Sequence, residues 1–202
     1  VTVQMDGQNE NRIRIRMGVY SDVDKTLDIE RRFDRAKMAT DTVRDNFTNS
    51  IGMYDNTMRE AELLSEQLIE DFQTAIQEKQ FQVFYQPKYD VRPNEPVLTS
   101  AEALVRWKHP KLGMISPGVF IPLFEENGLI QKLDHYIWRE AARQIRIWKD
   151  TVGFTVPVSV NVSRVDMYDA SIVYTLLDIL EESRLEAEAL HLEVTESAYI
   201  EN

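Results

Sequence analysis

Three segments in the second half of the chain alternate apolar and polar residues, and this alternation constrains the fold more than any other feature. The segments are TSAEALVRW (99–107), VPVSVNVS (156–163) and ALHLEVTES (189–197). Period-two alternation predicts strands with one apolar and one polar face. Residues at helical spacing separate the segments, with Ile130, Leu133, Ile137, Ala141, Ile145 and Trp148 on one helix and a second helix at about residues 172–180. Because strands separated by amphipathic helices pair in parallel through right-handed crossovers, the sequence predicts an α/β fold.

The polar faces of these strands favour a closed barrel over an open sheet. Open doubly wound sheets bury both faces, and their strands are continuously apolar. A polar inner face is instead typical of a barrel that carries a site at the C-terminal ends of its strands. Three polar residues, one from each strand, are placed to project from that face: Glu102, Asn161 and Glu193.

Two carboxylates and an amide form a set of oxygen donors, which suits Mg²⁺ or Mn²⁺ better than zinc. The three histidines, His109, His135 and His191, show no metal-ligand spacing, and we expect structural roles for them. An alternative for the second strand is an ordinary same-face salt bridge between Glu102 and Arg106. The residues alone therefore predict a barrel enzyme that uses a divalent metal, and they do not identify its substrate.

The sequence of the first part of the chain predicts a separate and smaller group of strands and helices. NRIRIRMGVYS (11–21) alternates and predicts a half-buried strand, and a charged helix is expected from about Thr26, with Ile29, Phe33, Ala36 and Val43 on one stripe. Helical periodicity is lost over residues 46–56, where we expect a domain boundary. A capping box, Thr57 to Glu60, predicts the start of the next helix. The strand FQVFYQP that follows is expected to end at Pro87.

The composition of the chain argues against several classes of binding partner and of chemical site. The 202 residues carry a net charge of −11, which disfavours non-specific binding to DNA or to an anionic membrane. The chain contains no cysteine, which excludes disulfides, thiolate zinc sites and cysteine nucleophiles. No apolar run approaches the length of a membrane span. We expect a cytoplasmic segment without membrane contact, while a parent protein with upstream segments could be membrane-anchored.

Four motifs in order resemble the EAL family of bacterial cyclic di-GMP phosphodiesterases. They are FQVFYQPKYDV, SAEALVRWKHPKLGMISPGVFIPLFEENGLI, VSVNVSRVDMYD and LHLEVTES, and the resemblance extends from about Glu62 to the end. It implies a TIM-like (β/α) barrel, of which residues 81–202 are the N-terminal half. It also implies metal-dependent hydrolysis of cyclic di-GMP to linear pGpG, with Mg²⁺ or Mn²⁺ in a two-metal site.

The resemblance also implies roles for particular residues. Glu102, Asn161 and Glu193 are implied to bind the metal ions, and Glu196 is implied to support a loop at the metal site. Contacts with the ligand are implied for Gln86, Leu104 and Arg106.

The N-terminal part resembles, more weakly, the tail of a GGDEF (diguanylate cyclase-like) domain, with IRIRMGVYS as a late strand and RRFDRAKMATDTV as the last major helix. The alternative is a small α/β capping subdomain. The expected domains are residues 1–56 for the GGDEF-like tail, 57–80 for a linker helix and the first EAL helix, and 81–202 for the half EAL domain.

The family's Asp-Asp-Phe-Gly motif, catalytic lysine and last metal-binding glutamate would lie beyond Asn202. We therefore expect this chain to be an incomplete, inactive part of an active phosphodiesterase, and to form homo-oligomers through the EAL domain or an exposed half-barrel edge. Two alternatives remain open: a non-catalytic cyclic di-GMP receptor or regulatory module, and a metal-dependent barrel that acts on another phosphate ester.

Overall fold

The structure, a computed structural model, describes residues 15–46 and 48–194, together with the backbone of residues 2–3 and 11–12. The chain divides into two compact units, an N-terminal unit (Val1–Gln67) and a C-terminal unit (Leu68–Asn202). No helix among the described residues is long and apolar enough to cross a membrane.

The N-terminal unit contains two small sheets and one helix that precede a long helix. The elements are Thr2–Val3 (β1), Asn11–Arg12 (β2), Met17–Val19 (β3), Ile29–Asp41 (α1) and Ile51–Met53 (β4), and the long helix α2 is Asn56–Gln77. An antiparallel pair joins β1 to β2, and a parallel pair joins β3 to β4. The β3–α1–β4 crossover confirms that this unit is also α/β.

Helix α1 matches the predicted apolar stripe only in part. Val43, just after the helix, is buried as predicted, but Ile29 and Phe33 are 77% and 68% exposed, and Ala39, which is not on the stripe, is buried. The reason is close packing against two strand glycines: a Cβ on Gly18 or on Gly52 would lie 1.7 Å from a carbonyl oxygen of α1. Because α1 covers the glycine face of β3, the opposite face, with Ile15 and Met17 each 52% exposed, is not the buried face that alternation predicted.

The start of α2 also differs from the prediction. The helix begins at Asn56, and the side chain of Asp55 accepts a hydrogen bond of 3.0 Å from the backbone N–H of Met58. An Asp two residues before Thr57 thus provides the cap, so the predicted Thr57–Glu60 capping box is wrong. Aspartate is the stronger N-cap residue of the two, and the sequence offered capping residues at both position 55 and position 57.

The C-terminal unit is built on a five-stranded sheet. Its strands are Phe81–Asp90 (β5), Val97–His109 (β6), Gly113–Ile115 (β7), Val158–Val162 (β8) and Leu190–Val194 (β9). The strand order is β5-β6-β8-β9, and β7 adds to β6; β5 pairs antiparallel with β6, whereas the β6–β8 and β8–β9 pairs are parallel. The helices are Pro117–Glu126 (α3), Ile130–Val152 (α4), Arg164–Met167 (α5) and Ile172–Ser183 (α6), with a 3₁₀ turn at Ala187–Ala189.

Strand β5 continues through Pro87, where the sequence predicted its end. Proline cannot donate a ladder hydrogen bond, so it is tolerated in a strand that has an unpaired side. Among the described residues β5 pairs only with β6, which places it at an edge of the sheet. The strand therefore extends three residues further, to Asp90.

The core of this unit lies between the apolar face of the sheet and the helices. Its aromatic centre joins rings from α2, β5, β6 and α3, with centroids 4.8 Å apart for Phe81–Trp107 and 4.9 Å apart for Phe72–Phe124. Alternate residues of β6 and β8 are buried as predicted, but Leu192 on the other edge strand, β9, is 46% exposed. The predicted α/β class is confirmed, and the described strands form an open sheet.

Candidate functional site

The polar face of the sheet holds most of the residues that the sequence singled out. Along β6, Glu102, Leu104 and Arg106 are half-buried, and each lies between two buried neighbours on the opposite face. Burial of the apolar neighbours fixes the direction of these side chains, because successive residues of a strand point to opposite sides.

Pairing between the strands brings the three predicted metal ligands into one region. Glu102 of β6 lies opposite Ser159 of β8, and Asn161, two residues further along β8, lies opposite Glu193 of β9. Side chains opposite each other on one face of a sheet are about 5 Å apart at Cβ. On α4, Trp138 donates a hydrogen bond of 3.0 Å from its indole nitrogen to the carbonyl oxygen of Asn161, which anchors the backbone at that point.

A lysine that the sequence analysis did not select lies between the two glutamates. The Nζ of Lys88 is 3.4 Å from Oε2 of Glu102 and 3.2 Å from Oγ of Ser159, and it also contacts Oε1 of Glu193. The bond to Glu193 raises the pKa of Lys88, and the lysine in turn lowers the pKa of Glu193. Lys88 was missed because β5 was expected to end one residue before it.

The alternative of a salt bridge between Glu102 and Arg106 is not what the structure shows. Glu102 pairs with Lys88, and within the described part of the chain no ion pair joins it to Arg106. The guanidinium of Arg106 instead donates a hydrogen bond of 2.8 Å to the carbonyl oxygen of Val105. This leaves most of the five N–H groups of the arginine for other partners.

A cavity of about 250 Å³ opens beside Arg106. Leu104 and Asn161 line it as well, so two of the three predicted ligand contacts and one predicted metal ligand share its wall. Gln86, the third predicted contact, is not among the residues that line the cavity: it is exposed on β5, directly opposite Glu102 in the antiparallel pair. Glu125, Asp134 and Ser163 add polar atoms to an otherwise apolar lining.

A second group of acids is buried behind this cavity. Asp134 of α4 and Asp166 of α5 are almost fully buried, and Ser163 donates a hydrogen bond of 2.6 Å to Oδ2 of Asp166. Nε2 of His135 lies 3.5 Å from Oδ1 of Asp166. Burial, together with the neighbouring carboxylate of Asp166, raises the pKa of Asp134. We therefore expect Asp134 to be protonated at neutral pH.

The other histidines have surroundings that do not involve the predicted metal ligands. His109 is buried, with Nε2 3.0 Å from Oδ2 of Asp71. Its Nδ1 accepts from the backbone N–H groups of Lys111 and Leu112, so the proton is on Nε2 and is donated to the aspartate. His109 thereby fastens the turn after β6 to α2. His191 is exposed on β9.

The oxygen donors fit a divalent cation, because the carboxylates of Glu102 and Glu193 both reach one ammonium group, which occupies the position of a cation. In the described ranges no group of three or more His, Cys, Asp or Glu side chains is placed to hold a metal ion. The two glutamates and the amide of Asn161 would thus be part of a ligand set. Glu196, the predicted loop-supporting acid, lies outside the described residues.

Known proteins with similar sequences include cyclic di-GMP phosphodiesterases. The bifunctional diguanylate cyclase/cyclic di-GMP phosphodiesterase MucR of Pseudomonas aeruginosa is 36% identical over 154 residues, which are 76% of this chain and 22% of the relative. The cyclic di-GMP phosphodiesterase PdeR of Escherichia coli is 38% identical over 128 residues, 63% of this chain and 19% of the relative. The chain therefore spans about a fifth of the length of these relatives.

Solved structures show a similar fold. The MucR phosphodiesterase in complex with c-di-GMP matches with a TM-score of 0.61 at 38% identity, covering 67% of this chain and 54% of that chain. The FimX EAL domain of Xanthomonas citri, in complex with c-di-GMP, matches with a TM-score of 0.59 over 69% of this chain and 53% of that chain. Its 24% identity shows the fold alone.

A family model described as the EAL domain matches residues 69–202. EAL domains are TIM-like barrels whose phosphodiesterases generally depend on divalent metal ions, and the open α/β sheet of the C-terminal unit is part of such a barrel. The expected fold class is confirmed: this chain belongs to the EAL domain family.

Proposed function

We propose that the protein carrying this chain hydrolyses one phosphodiester bond of cyclic di-GMP, giving linear pGpG, with Mg²⁺ or Mn²⁺ bound. One observation carries the proposal: Glu102, Asn161 and Glu193 lie on one polar face of three adjacent strands, beside a cavity that contains Arg106. The names of the relatives, two of which are cyclic di-GMP phosphodiesterases, support the same substrate.

Glu102, Asn161 and Glu193 would hold the divalent ions, together with residues outside those described. Bound ions would polarise the phosphate and lower the pKa of an attacking water. The strands keep the oxygen donors in place, since β6, β8 and β9 are hydrogen-bonded to one another. Trp138 restrains the Asn161 backbone from the opposite side of the sheet.

Arg106 would bind a phosphate group of the substrate. A guanidinium presents paired N–H donors that match phosphate oxygens, and it stays charged at every relevant pH. In a chain with a net charge of −11, this local positive charge is what would make the cavity suitable for an anionic nucleotide. Leu104 would provide apolar contact in the same cavity, and Gln86 would contact the ligand from β5.

The proposal is tested with Glu102→Ala in the natural protein that carries this chain. We expect production of pGpG, followed by chromatography, to fall at least 100-fold, because loss of one carboxylate loosens the metal. The circular dichroism spectrum should be unchanged, since the side chain projects from the polar face. Unfolding of the variant would instead indicate a structural role, and wild-type turnover would contradict the assignment.

A non-catalytic cyclic di-GMP receptor is the second candidate. It is supported by Arg106 and the cavity that Arg106 lines, because binding of an anionic nucleotide there does not require a complete metal site. Competition binding of cyclic di-GMP against pGpG and simple nucleotides distinguishes the candidates from a barrel that acts on another phosphate ester. Tight cyclic di-GMP binding without hydrolysis by the natural protein would favour the receptor.

Two further expectations concern the chain itself. We propose that residues 1–56 are a GGDEF-like tail, which the parallel β3–α1–β4 crossover supports. We also propose that the isolated chain is inactive and self-associates through β5 or β9, since each pairs on one side only among the described strands. Hydrolysis of cyclic di-GMP by the purified chain would contradict its predicted inactivity. A monomeric mass in light scattering would contradict the predicted self-association.

A further inference from the structure

Lys88 is bound by acidic and polar side chains from three other strands. Its Nζ contacts Glu102 on β6, Ser159 on β8 and Glu193 on β9. An ammonium group has three N–H donors, and each has a partner here. Because β5 runs antiparallel to β6, with Lys88 opposite Ser100, the long side chain lies along the sheet towards Glu102.

The lysine compensates charge that would otherwise be unfavourable. Two carboxylates held near each other repel, and the repulsion is stronger where side chains are partly shielded from water. Ser159, which is 3% exposed, donates a hydrogen bond of 3.3 Å to the carbonyl oxygen of Ala101, so its oxygen is fixed as an acceptor for the lysine. The arrangement is a built cation position rather than a chance surface pair.

A divalent ion bound by the same two carboxylates cannot coexist with the ammonium between them. The carboxylate oxygens used by Lys88 are the atoms that would coordinate the ion, and the two cations would repel each other. All three residues are carried by hydrogen-bonded strands, but the four-carbon stem of lysine is longer and more flexible than the two-carbon stem of glutamate. Movement of Lys88 is therefore the easiest way to free the site.

We propose that Lys88 is an internal counter-ion that occupies the metal position of the metal-free protein and is exchanged for the divalent ion. The inference rests on the proposed function, since it takes Glu102 and Glu193 as metal ligands. It assigns Lys88 a positioning role: the lysine keeps the two carboxylates together until metal arrives, and it weakens the apparent affinity for metal.

The test is Mn²⁺ binding by the full chain, measured from the electron paramagnetic resonance signal of free Mn²⁺. Lys88→Met should bind Mn²⁺ about tenfold more tightly than the wild type, because no cation competes for the oxygens. Lys88→Arg keeps the charge and should bind within about twofold of the wild type. Lys132→Met removes the same charge from an exposed position on α4 and is the matched control.

The outcomes separate this inference from the proposed function. Unchanged or weaker Mn²⁺ binding by Lys88→Met overturns the exchange but leaves a metal-dependent phosphodiesterase standing. Tighter binding by Lys88→Met, with no pGpG produced by the natural protein, supports the exchange and overturns the proposed activity. Absence of Mn²⁺ binding by both the wild type and Lys88→Met overturns both.

Discussion

The C-terminal unit contains two pairs of acids in opposite surroundings. Glu102 and Glu193 are partly exposed on the polar face of the sheet and share the ammonium of Lys88. Asp134 and Asp166 are buried between α4 and α5, where Ser163 and His135 are their polar neighbours. The first pair has a cation and access to solvent, and the second has neither a lysine nor an arginine beside it among the described contacts.

The difference shows how surroundings decide what a carboxylate can do. An exposed, cation-paired carboxylate stays ionised and can exchange its partner for a metal ion. A buried carboxyl group avoids the cost of a buried charge by keeping its proton. Asp134 therefore acts as a neutral hydrogen-bonding group in the wall of the cavity, although its side chain carries the same carboxyl group as the two glutamates.

The largest effect is expected from the serine that serves the buried pair. Ser163→Ala removes a donor to Oδ2 of Asp166 and the acceptor for the backbone N–H of Asp166, 3.3 Å away. A buried acceptor left without a partner costs about 1–3 kcal/mol, and loss of a helix cap about 1 kcal/mol. We expect the free energy of unfolding to fall by about 2–3 kcal/mol in total.

Urea unfolding followed by tryptophan fluorescence measures this loss, since all three tryptophans of the chain lie in the C-terminal unit. Ser116→Ala is the control, because Ser116 precedes α3 without a side-chain capping bond and is exposed. The control should change stability by less than about 0.5 kcal/mol. Equal losses of stability in Ser163→Ala and Ser116→Ala would show that the hydrogen bonds between Ser163 and Asp166 do not stabilise the fold.

Periodicity predicted the sheet but not the second acid pair, and the reason is physical. Alternation reports which face of a strand is buried, so Glu102, Asn161 and Glu193 could be assigned to one polar face from the sequence. Asp134 and Asp166 are adjacent only because α4 and α5 pack together, and no local pattern encodes that contact. Lys88 was missed for a similar reason, since the tolerance of β5 for Pro87 depends on its position at the sheet edge.

The same limit explains the errors in the N-terminal unit. A stripe of apolar residues on α1 predicted the buried face, but the glycines of β3 and β4 determined where the helix packs. Close backbone approach is a tertiary property, and Gly18 and Gly52 carried no visible sign of it in a sequence read one segment at a time.

A smaller effect, with a definite pH dependence, is expected from Asp134→Asn. Burial raises the pKa of Asp134 from 3.8 to about 9, so the folded protein binds a proton that the unfolded chain releases. This contribution to stability is complete below the ordinary carboxyl pKa and is lost as pH rises towards about 9. The side chain of the asparagine variant is neutral at every pH. The free energy of unfolding of the variant should therefore rise relative to that of the wild type as pH rises.

We expect the difference in free energy of unfolding between Asp134→Asn and the wild type to move in favour of the variant by about 1.4 kcal/mol per pH unit, which is about 2 kcal/mol between about pH 6 and about pH 7.5. Asp178→Asn, an exposed position on α6, is the control and should show no such trend. A difference that stays constant with pH would mean that Asp134 is ionised in the folded protein, and the contrast between the two acid pairs would fail.

The smallest effect is expected at the exposed pair, and salt identifies it. Glu193→Gln removes one of the two charged partners of Lys88, but both side chains are partly exposed, so the free energy of unfolding should fall by less than about 1 kcal/mol. Raising the salt from about 0.1 M to about 1 M shortens the Debye length from about 10 Å to about 3 Å and should remove most of this difference. The effect of Asp134→Asn, measured by the same urea titration at alkaline pH, should persist in high salt, because a buried group is screened much less. A salt-insensitive loss at Glu193 would show that its contact with Lys88 is shielded from solvent, and the two acid pairs would then differ in their cation alone.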